Sequence, residues 1–287
     1  MATLKEIKRR IVTVHSIRNV TSAIQKIAAV RLVKARNRVT SVREYVRAQE
    51  GILAMCLRQD VDHALMQPNG SHRKLLVVLT SDKGLCGGFN TRILERTVAF
   101  LEEHGHDHVQ VMVVGRKGVD FLTRSRKKVS MAFKMMQVPV FCPLSYISDP
   151  AGKAVEMILS GEIGEIHICY PEFAAVGRQP VVVKRVVPVQ ATGLPLPAGV
   201  NPDIHLYEPE PQAIVDGLLP EYVRLRLWLA LLEEIVSEQA ARMVAMERAV
   251  HNAEEMINTL TLTRNKIRQG AITKELADIV GTVDALG

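Results

Sequence analysis

Proline is missing from both ends of this chain. All thirteen prolines lie between Pro68 and Pro220, which leaves the first 67 and the last 67 residues free of them. A proline inside a helix removes a hydrogen bond and clashes with the preceding turn, so each end is open to one long helix. Aromatic residues are also scarce, at 4% with Trp228 the one tryptophan. That suits extended helices with thin aliphatic seams better than a chain that is compact throughout. The four cysteines, Cys56, Cys86, Cys142 and Cys169, are far apart and form no CxxC pair. This excludes a disulfide framework or a zinc-ribbon spacing and predicts free thiols in a reducing compartment. No apolar run approaches the ~20 residues that cross a bilayer. The N-terminus is charged at once (Lys5, Glu6, Lys8, Arg9, Arg10), so no secretory leader is expected.

What is present is an apolar rhythm at both ends. Thr3-Leu4-Lys5-Glu6 has the capping-box pattern of a helix start. Apolar residues then recur at Leu4, Ile7, Ile11, Val14, Ile17, Val20, Ile24 and Ile27, and again at Leu32, Ala35, Val39, Val42 and Val46. The mean step is close to the coiled-coil value of about 3.5, with a local discontinuity expected at Val14–Ile17–Val20. The C-terminal arm is expected to start with Pro220 in its first turn. It carries a 4-3 ladder: Leu225, Leu229, Leu232, Val236, Gln239, Met243, Met246, Val250, Ala253, Ile257 and Leu260. Gln239 is the one polar member, the kind of residue that sets register at some cost in stability.

Charge separates the arms. Residues 1–60 hold 13 Lys+Arg against 4 Asp+Glu, and residues 210–287 hold 8 against 12. Neither arm can bury its stripe alone. The middle of the chain joins them, so antiparallel pairing of basic on acidic is the natural arrangement. Each arm would then span ~80–100 Å. The amphipathic end from Ala271 to Val280 is expected to run past its partner and to need an external apolar socket.

Between the arms, Lys74–Thr80, Val109–Val114, Lys128–Met136, Glu165–Tyr170 and Val181–Val189 read as strands. Helices are expected near 91–103, 117–123 and 150–160. Alternation of this kind predicts an α/β, Rossmann-like layer with a mostly parallel sheet. The division read from the sequence is therefore 1–67 helix, 68–210 central α/β domain and 211–287 helix. The turn Ser81-Asp82-Lys83-Gly84-Leu85-Cys86-Gly87-Gly88-Phe89-Asn90 is glycine-rich but has neither phosphate-binding spacing. Cys86 has no legible histidine partner, and His104, His106 and His108 fall in an expected loop. No catalytic, cofactor or metal residue is predicted. Two other classes remain open on these residues: a nucleotide-binding enzyme with a coiled-coil dimerisation arm, and a nucleic-acid scaffold using the basic arm.

Four ordered segments carry a family resemblance. They are Val20–Leu32, Ser81–Asn90, Ser237-Glu238-Gln239-Ala240-Ala241-Arg242-Met243-Val244-Ala245-Met246, and Leu260–Gln269 running into Ala271–Leu276. Together they make the chain similar to the gamma subunit of F-type ATP synthases, the central rotor shaft, over essentially its whole length. It departs from the family pattern at Ile24 (usually Met), Val30 (usually a small polar residue), Arg264 (usually Tyr) and Gly270 (commonly Ala). The resemblance implies a non-catalytic chain present in one copy. It would sit inside a ring of alpha and beta subunits, with the epsilon subunit and the c-ring below, at the cytoplasmic face of a bacterial inner membrane. It assigns Ile24, Arg242, Arg268, Gln269 and Thr273 to beta contact and coupling. Ile272, Leu276, Ile279 and Val280 become an apolar bearing at the tip, and Tyr207 and Glu208 a foot facing the c-ring. Nucleic acid is not an implied partner, and no cofactor is implied.

Overall fold

The computed structural model describes residues 3–125, 129–190, 193–196 and 206–284, without the side chains of Lys274, Glu275 and residues 277–284. The elements in chain order are α1 (Leu4–Cys56), β1 (Lys74–Leu79), α2 (Phe89–His104), a 3-10 turn (His106–His108), β2 (Val109–Val114), α3 (Arg116–Arg124), β3 (Ser130–Met135), α4 (Ser145–Leu159), β4 (Glu165–Pro171), β5 (Val181–Val187) and α5 (Pro211–Asp284). The contacts divide into two units, residues 29–241 and the pairing of 1–28 with 242–287. The two long helices contribute to both.

In the larger unit the sheet order is β3-β2-β1-β4-β5. The first four strands are parallel, and β5 closes the edge antiparallel to β4. Leu76, Val78, Val111 and Val113 pack into one apolar cluster with Phe89, Ile93 and Phe100 of α2 and Val119 and Leu122 of α3. The alternate residues Leu75, Val77, Met112 and Val114 are equally buried, so the sheet is covered on both faces, as parallel sheets require. On that second face α1 and α5 lie against β4 and β5. They are tied together there by Arg43–Glu233 (2.7 Å) and Arg226–Glu50 (2.8 Å). Residue numbers rise on α1 as they fall on α5, so the helices pair antiparallel, a basic side chain of α1 meeting an acidic one of α5 at the first pair.

Several local expectations are borne out by their atoms. The capping box closes reciprocally: the Thr3 amide donates to Glu6 Oε2 (2.9 Å) and the Glu6 amide to Thr3 Oγ1 (3.3 Å). All eleven rungs of the α5 ladder are buried or half-buried. Gln239 is buried and donates its Nε2 to Glu238 Oε2 (2.7 Å), while its Oε1 accepts from nothing among the described residues.

Three expectations are corrected. First, α5 starts at Pro211, and Pro220 lies inside the helix. Pro211 takes the first-turn place where a missing N–H costs nothing, and Pro220 is tolerated because one lost bond is small beside a helix packed this deeply. Second, α4 likewise begins before its proline, at Ser145, with Pro150 internal and buried. Third, the predicted discontinuity in α1 is absent. Its buried face keeps a strict 4-3 step from Ile7 through Ile11, Val14, Arg18, Thr21, Gln25, Ala28 and Leu32 to Val46 and Leu53. The seam runs through three polar residues, and Ile17, Val20 and Ile27 stay outside, 52%, 60% and 52% exposed. Among the smaller departures, Lys128 lies outside the described residues and β5 ends at Val187. His104 ends α2 rather than lying in a loop, and its ring stacks on Phe100.

A cluster at the N-terminal ends of the adjacent strands β1 and β4 supplies a pH test. Glu165 meets Lys74 at 2.5 Å and His167 at 2.7 Å. Burial pushes its carboxyl up, but the two bases outweigh burial and bring its pKa to about 2 from an ordinary 4.5. A depressed carboxylate stabilises the fold above its unfolded pKa, and that contribution fades as pH falls toward the folded value. Wild type should therefore be more stable than Glu165→Gln at pH 6, with the gap closing between about pH 4.5 and 2. Urea melts across that range check it; a gap that stays constant would contradict it.

Candidate functional site: the terminal helix pair

The smaller unit is a two-helix assembly. Arg18 Nε donates to Glu254 Oε1 at 2.8 Å. Glu6, Arg9, Thr13 and Val14 share one groove with Met256 and Leu260, and Gln25 shares another with Glu247, Val250 and His251. All these pairings are antiparallel. Ile7, Val14 and Ala28 on α1 and Met246 and Ala253 on α5 are buried. Within the polar stretch Arg18–Gln25, Arg18 is paired with Glu254 and Thr21 Oγ1 donates to the Ile17 carbonyl at 2.9 Å. What remains outside differs around the pair. One side of α1 presents the apolar Ile17, Val20 and Ile27, and α5 presents Met256 and Leu262, 54% and 71% exposed. The first turns of α1 present Lys5, Lys8, Arg9 and Arg10.

The register set by Arg18–Glu254 places Leu4 opposite about residue 268 of α5. The helix continues to Asp284, so its last turns have no α1 residue beside them. The predicted contact residues fall here. Arg268, Gln269, Ile272, Thr273 and Leu276 are all exposed and occupy successive turns. Ile272 is 48% and Leu276 58% exposed, a high value for large aliphatic side chains, and Thr273 Oγ1 donates back to the Gln269 carbonyl at 2.9 Å. Ile279 and Val280 lie outside the residues whose side chains are described. Ile24 is half-buried on α1. Arg242 is not on a solvated helix face, being only 8% exposed.

The remaining predicted residues belong to the larger unit. Tyr207 is half-buried and its hydroxyl donates to the Met55 carbonyl at 3.4 Å, tying the chain to the last turn of α1. Glu208 is exposed, and Leu206 beside it is 94% exposed. The glycine-rich turn uses its polar groups on itself and on neighbouring backbone. Ser81 Oγ donates to the Lys83 carbonyl (2.8 Å) and Asn90 Nδ2 to Ser81 Oγ (2.8 Å), and the Asp82 carboxylate accepts from the Arg116 and Val138 amides. Cys86 is buried there. Gly115, at φ 96°, could carry no Cβ, since one would lie 1.8 Å from the Thr80 carbonyl oxygen. This is a tightly built strand-to-helix corner rather than a phosphate cradle. Among the described residues no group of three His, Cys, Asp or Glu side chains is placed to hold a metal ion.

A sequence profile described as ATP synthase matches residues 3–286. The ATP synthase gamma chain of Heliobacterium modesticaldum is 36% identical over the whole of both chains, and that of Dehalococcoides mccartyi 38% identical over the whole of both. The chain belongs to the ATP synthase gamma-chain family. Among solved structures, a chain of the Euglena gracilis mitochondrial ATP synthase superposes with a TM-score of 0.66 at 20% identity, covering 99% of this chain and 94% of that one. A chain of the Tetrahymena thermophila mitochondrial central stalk and c-ring gives 0.63 at 22%, covering 80% and 99%. At these identities the structures speak for the fold. Membership makes the chain a non-catalytic, peripheral stalk subunit of the synthase. No helix among the described residues is long and apolar enough to cross a membrane. The outward apolar ridge Ile17–Val20–Ile27 was missed from sequence. It becomes visible only when the strict heptad of Ala28–Val46 is extended backwards through polar positions.

Proposed function

We propose that this gamma-family chain is the central-stalk rotor of its synthase, carrying c-ring rotation driven by ion flow to the three catalytic beta sites. The observation that carries the proposal is the terminal helix pair, whose outward faces differ in polarity from side to side. A stalk of that kind is an asymmetric ligand. It presents a different surface to each beta subunit and biases each site to a different conformation, which only differential contact energy can do. Taking one site from mostly open to mostly closed needs roughly 5 kcal/mol, a sum that contacts spread along a stiff helix pair supply and a flexible tether does not.

In this reading residues 1–67 and 211–287 are the shaft and 68–210 the central domain, resting with epsilon on the c-ring. Ile24, Arg242, Arg268, Gln269 and Thr273 touch beta or tune coupling. Ile272, Leu276, Ile279 and Val280 turn in an apolar socket of the alpha–beta ring, and Tyr207 and Glu208 face the c-ring. The complex is placed at the cytoplasmic face of a bacterial inner membrane. Exposure of Ile272 and Leu276 beyond the start of α1 supports the bearing.

Co-expression with candidate alpha and beta subunits tests the reading. The expected product is a complex with one copy of this chain per three alpha–beta pairs; failure to assemble, or a different stoichiometry, would overturn it. Removing residues 271–287 should leave assembly largely intact and cut ATP-driven ion pumping several-fold. Unchanged pumping in inverted vesicles would count against the bearing role.

A further inference from the structure

A polar cavity of about 150 Å³ lies within the larger unit, where α1 and α5 cross β4 and β5. We propose that it is a binding site for hydrogen phosphate, independent of the stalk role. Three ion pairs line it. Arg43–Glu233 closes at 2.7 Å, Arg226–Glu50 at 2.8 Å and Lys184–Glu172 at 2.6 Å. Each pair is neutral by itself. Arg47 is a fourth cation on the wall and has no hydrogen-bond or ion-pair partner among the described residues, so the lining carries one surplus positive charge.

The same wall carries an acceptor without a donor. Glu233 is 4% exposed, and both Arg43 contacts go to its Oε1. Its Oε2 is buried and has no hydrogen-bond partner, a state that costs free energy unless something fills it. The cavity therefore lacks two things at once: an anion for Arg47 and a donor for Glu233 Oε2. An oxyanion that keeps a hydroxyl proton provides both, with its charged oxygens on Arg47 and its O–H on the carboxylate. Burial pushes both the Glu233 carboxyl and the Tyr170 hydroxyl upward, the mark of a wall poorly screened by water, where such contacts are strong. The volume equals that of about five waters. It suits a small ion with some of its hydration and is too small for a nucleotide.

Hydrogen phosphate retains one proton at about pH 8, whereas sulfate has none. Isothermal titration of the full chain at that pH and constant ionic strength, with inorganic phosphate and then sulfate, tests the site. The expected result is one phosphate per chain and sulfate weaker by about tenfold. Arg47→Gln, a change at an exposed side chain, should weaken phosphate by about tenfold or more. Glu233→Gln, which places an amide donor at the orphan acceptor, should erase the preference for phosphate over sulfate. Absence of phosphate binding, equal binding of sulfate by wild type, or an unaffected Arg47→Gln chain would each overturn the site. So would binding to phosphatidic acid vesicles without binding of the free ion, since the occupant would then be a lipid headgroup.

Discussion

Glu247→Pro should abolish ATP-driven ion pumping in the assembled complex, while Glu247→Ala leaves it near wild type. Glu247 is exposed in the helix pair, beside the groove that Gln25 shares with His251. Its side chain packs into no core, so the alanine variant loses little and gains helix propensity. Proline at this position removes the amide that bonds one turn back and drives its ring against that turn. The cost is about 3 kcal/mol and a kink. The seam on either side, Met246 and Ala253, is thin, so neighbouring packing cannot hold the helix straight. A bent shaft transmits torque as bending rather than as differential contact with the beta sites. The assay is proton or sodium uptake by inverted vesicles at matched amounts of assembled complex; full pumping by the proline variant would show that stiffness at this level is not needed.

Arg43→Met should destabilise the chain by about 3 kcal/mol. Glu233 is buried, and burial pushes its carboxyl up against the pull of Arg43. Arg43 also donates to the Phe173 carbonyl at 2.8 Å, so it joins α1, α5 and the segment just after β4. Removing it leaves a buried carboxylate without its hydrogen-bonded counter-charge, Lys184 acting on it only from a distance, and the penalty is that of the stranded charge rather than the worth of the pair. The double variant Arg43→Met/Glu233→Met should recover most of the loss, because two apolar side chains of similar length fill the same space without desolvating ions. Urea denaturation of the single and double variants reads both numbers. Additive losses in the double variant would contradict the account.

Much of this architecture was legible because helix seams and parallel strands have strong, different periods. The α5 ladder from Leu225 to Leu260 is apolar at nearly every rung, and all its rungs are buried or half-buried. The buried strands around Val77 and Met112 are unbroken aliphatic runs, which only a sheet covered on both faces accounts for. The misses share one physical cause. Between Val14 and Ala28 the seam is polar while the neighbouring stripe is apolar, so a reading that follows hydrophobicity follows Ile17, Val20 and Ile27 onto the wrong face. Those residues are apolar for an outside surface, and a single sequence does not distinguish that from a core. The internal prolines Pro150 and Pro220 misled for a related reason: propensity names them as starts, and tertiary burial overrides it. The polar cavity at Arg43 and Glu233 had no sequence signal, since its walls come from four elements distant in the chain.

The central claim is that the two terminal helices turn as one rigid, antiparallel body. Its direct test is a chain with Arg18→Cys and Glu254→Cys, treated with a short bifunctional thiol reagent inside the assembled complex. All four native cysteines are buried, with Cys142 pushed up to about 12 and Cys169 to about 11 by burial, so the introduced pair should react selectively. The account predicts near-complete linkage within the chain and ATP-driven ion pumping that survives it. Absence of the link, or linkage that stops pumping until it is cleaved, would contradict a shaft that moves as a unit.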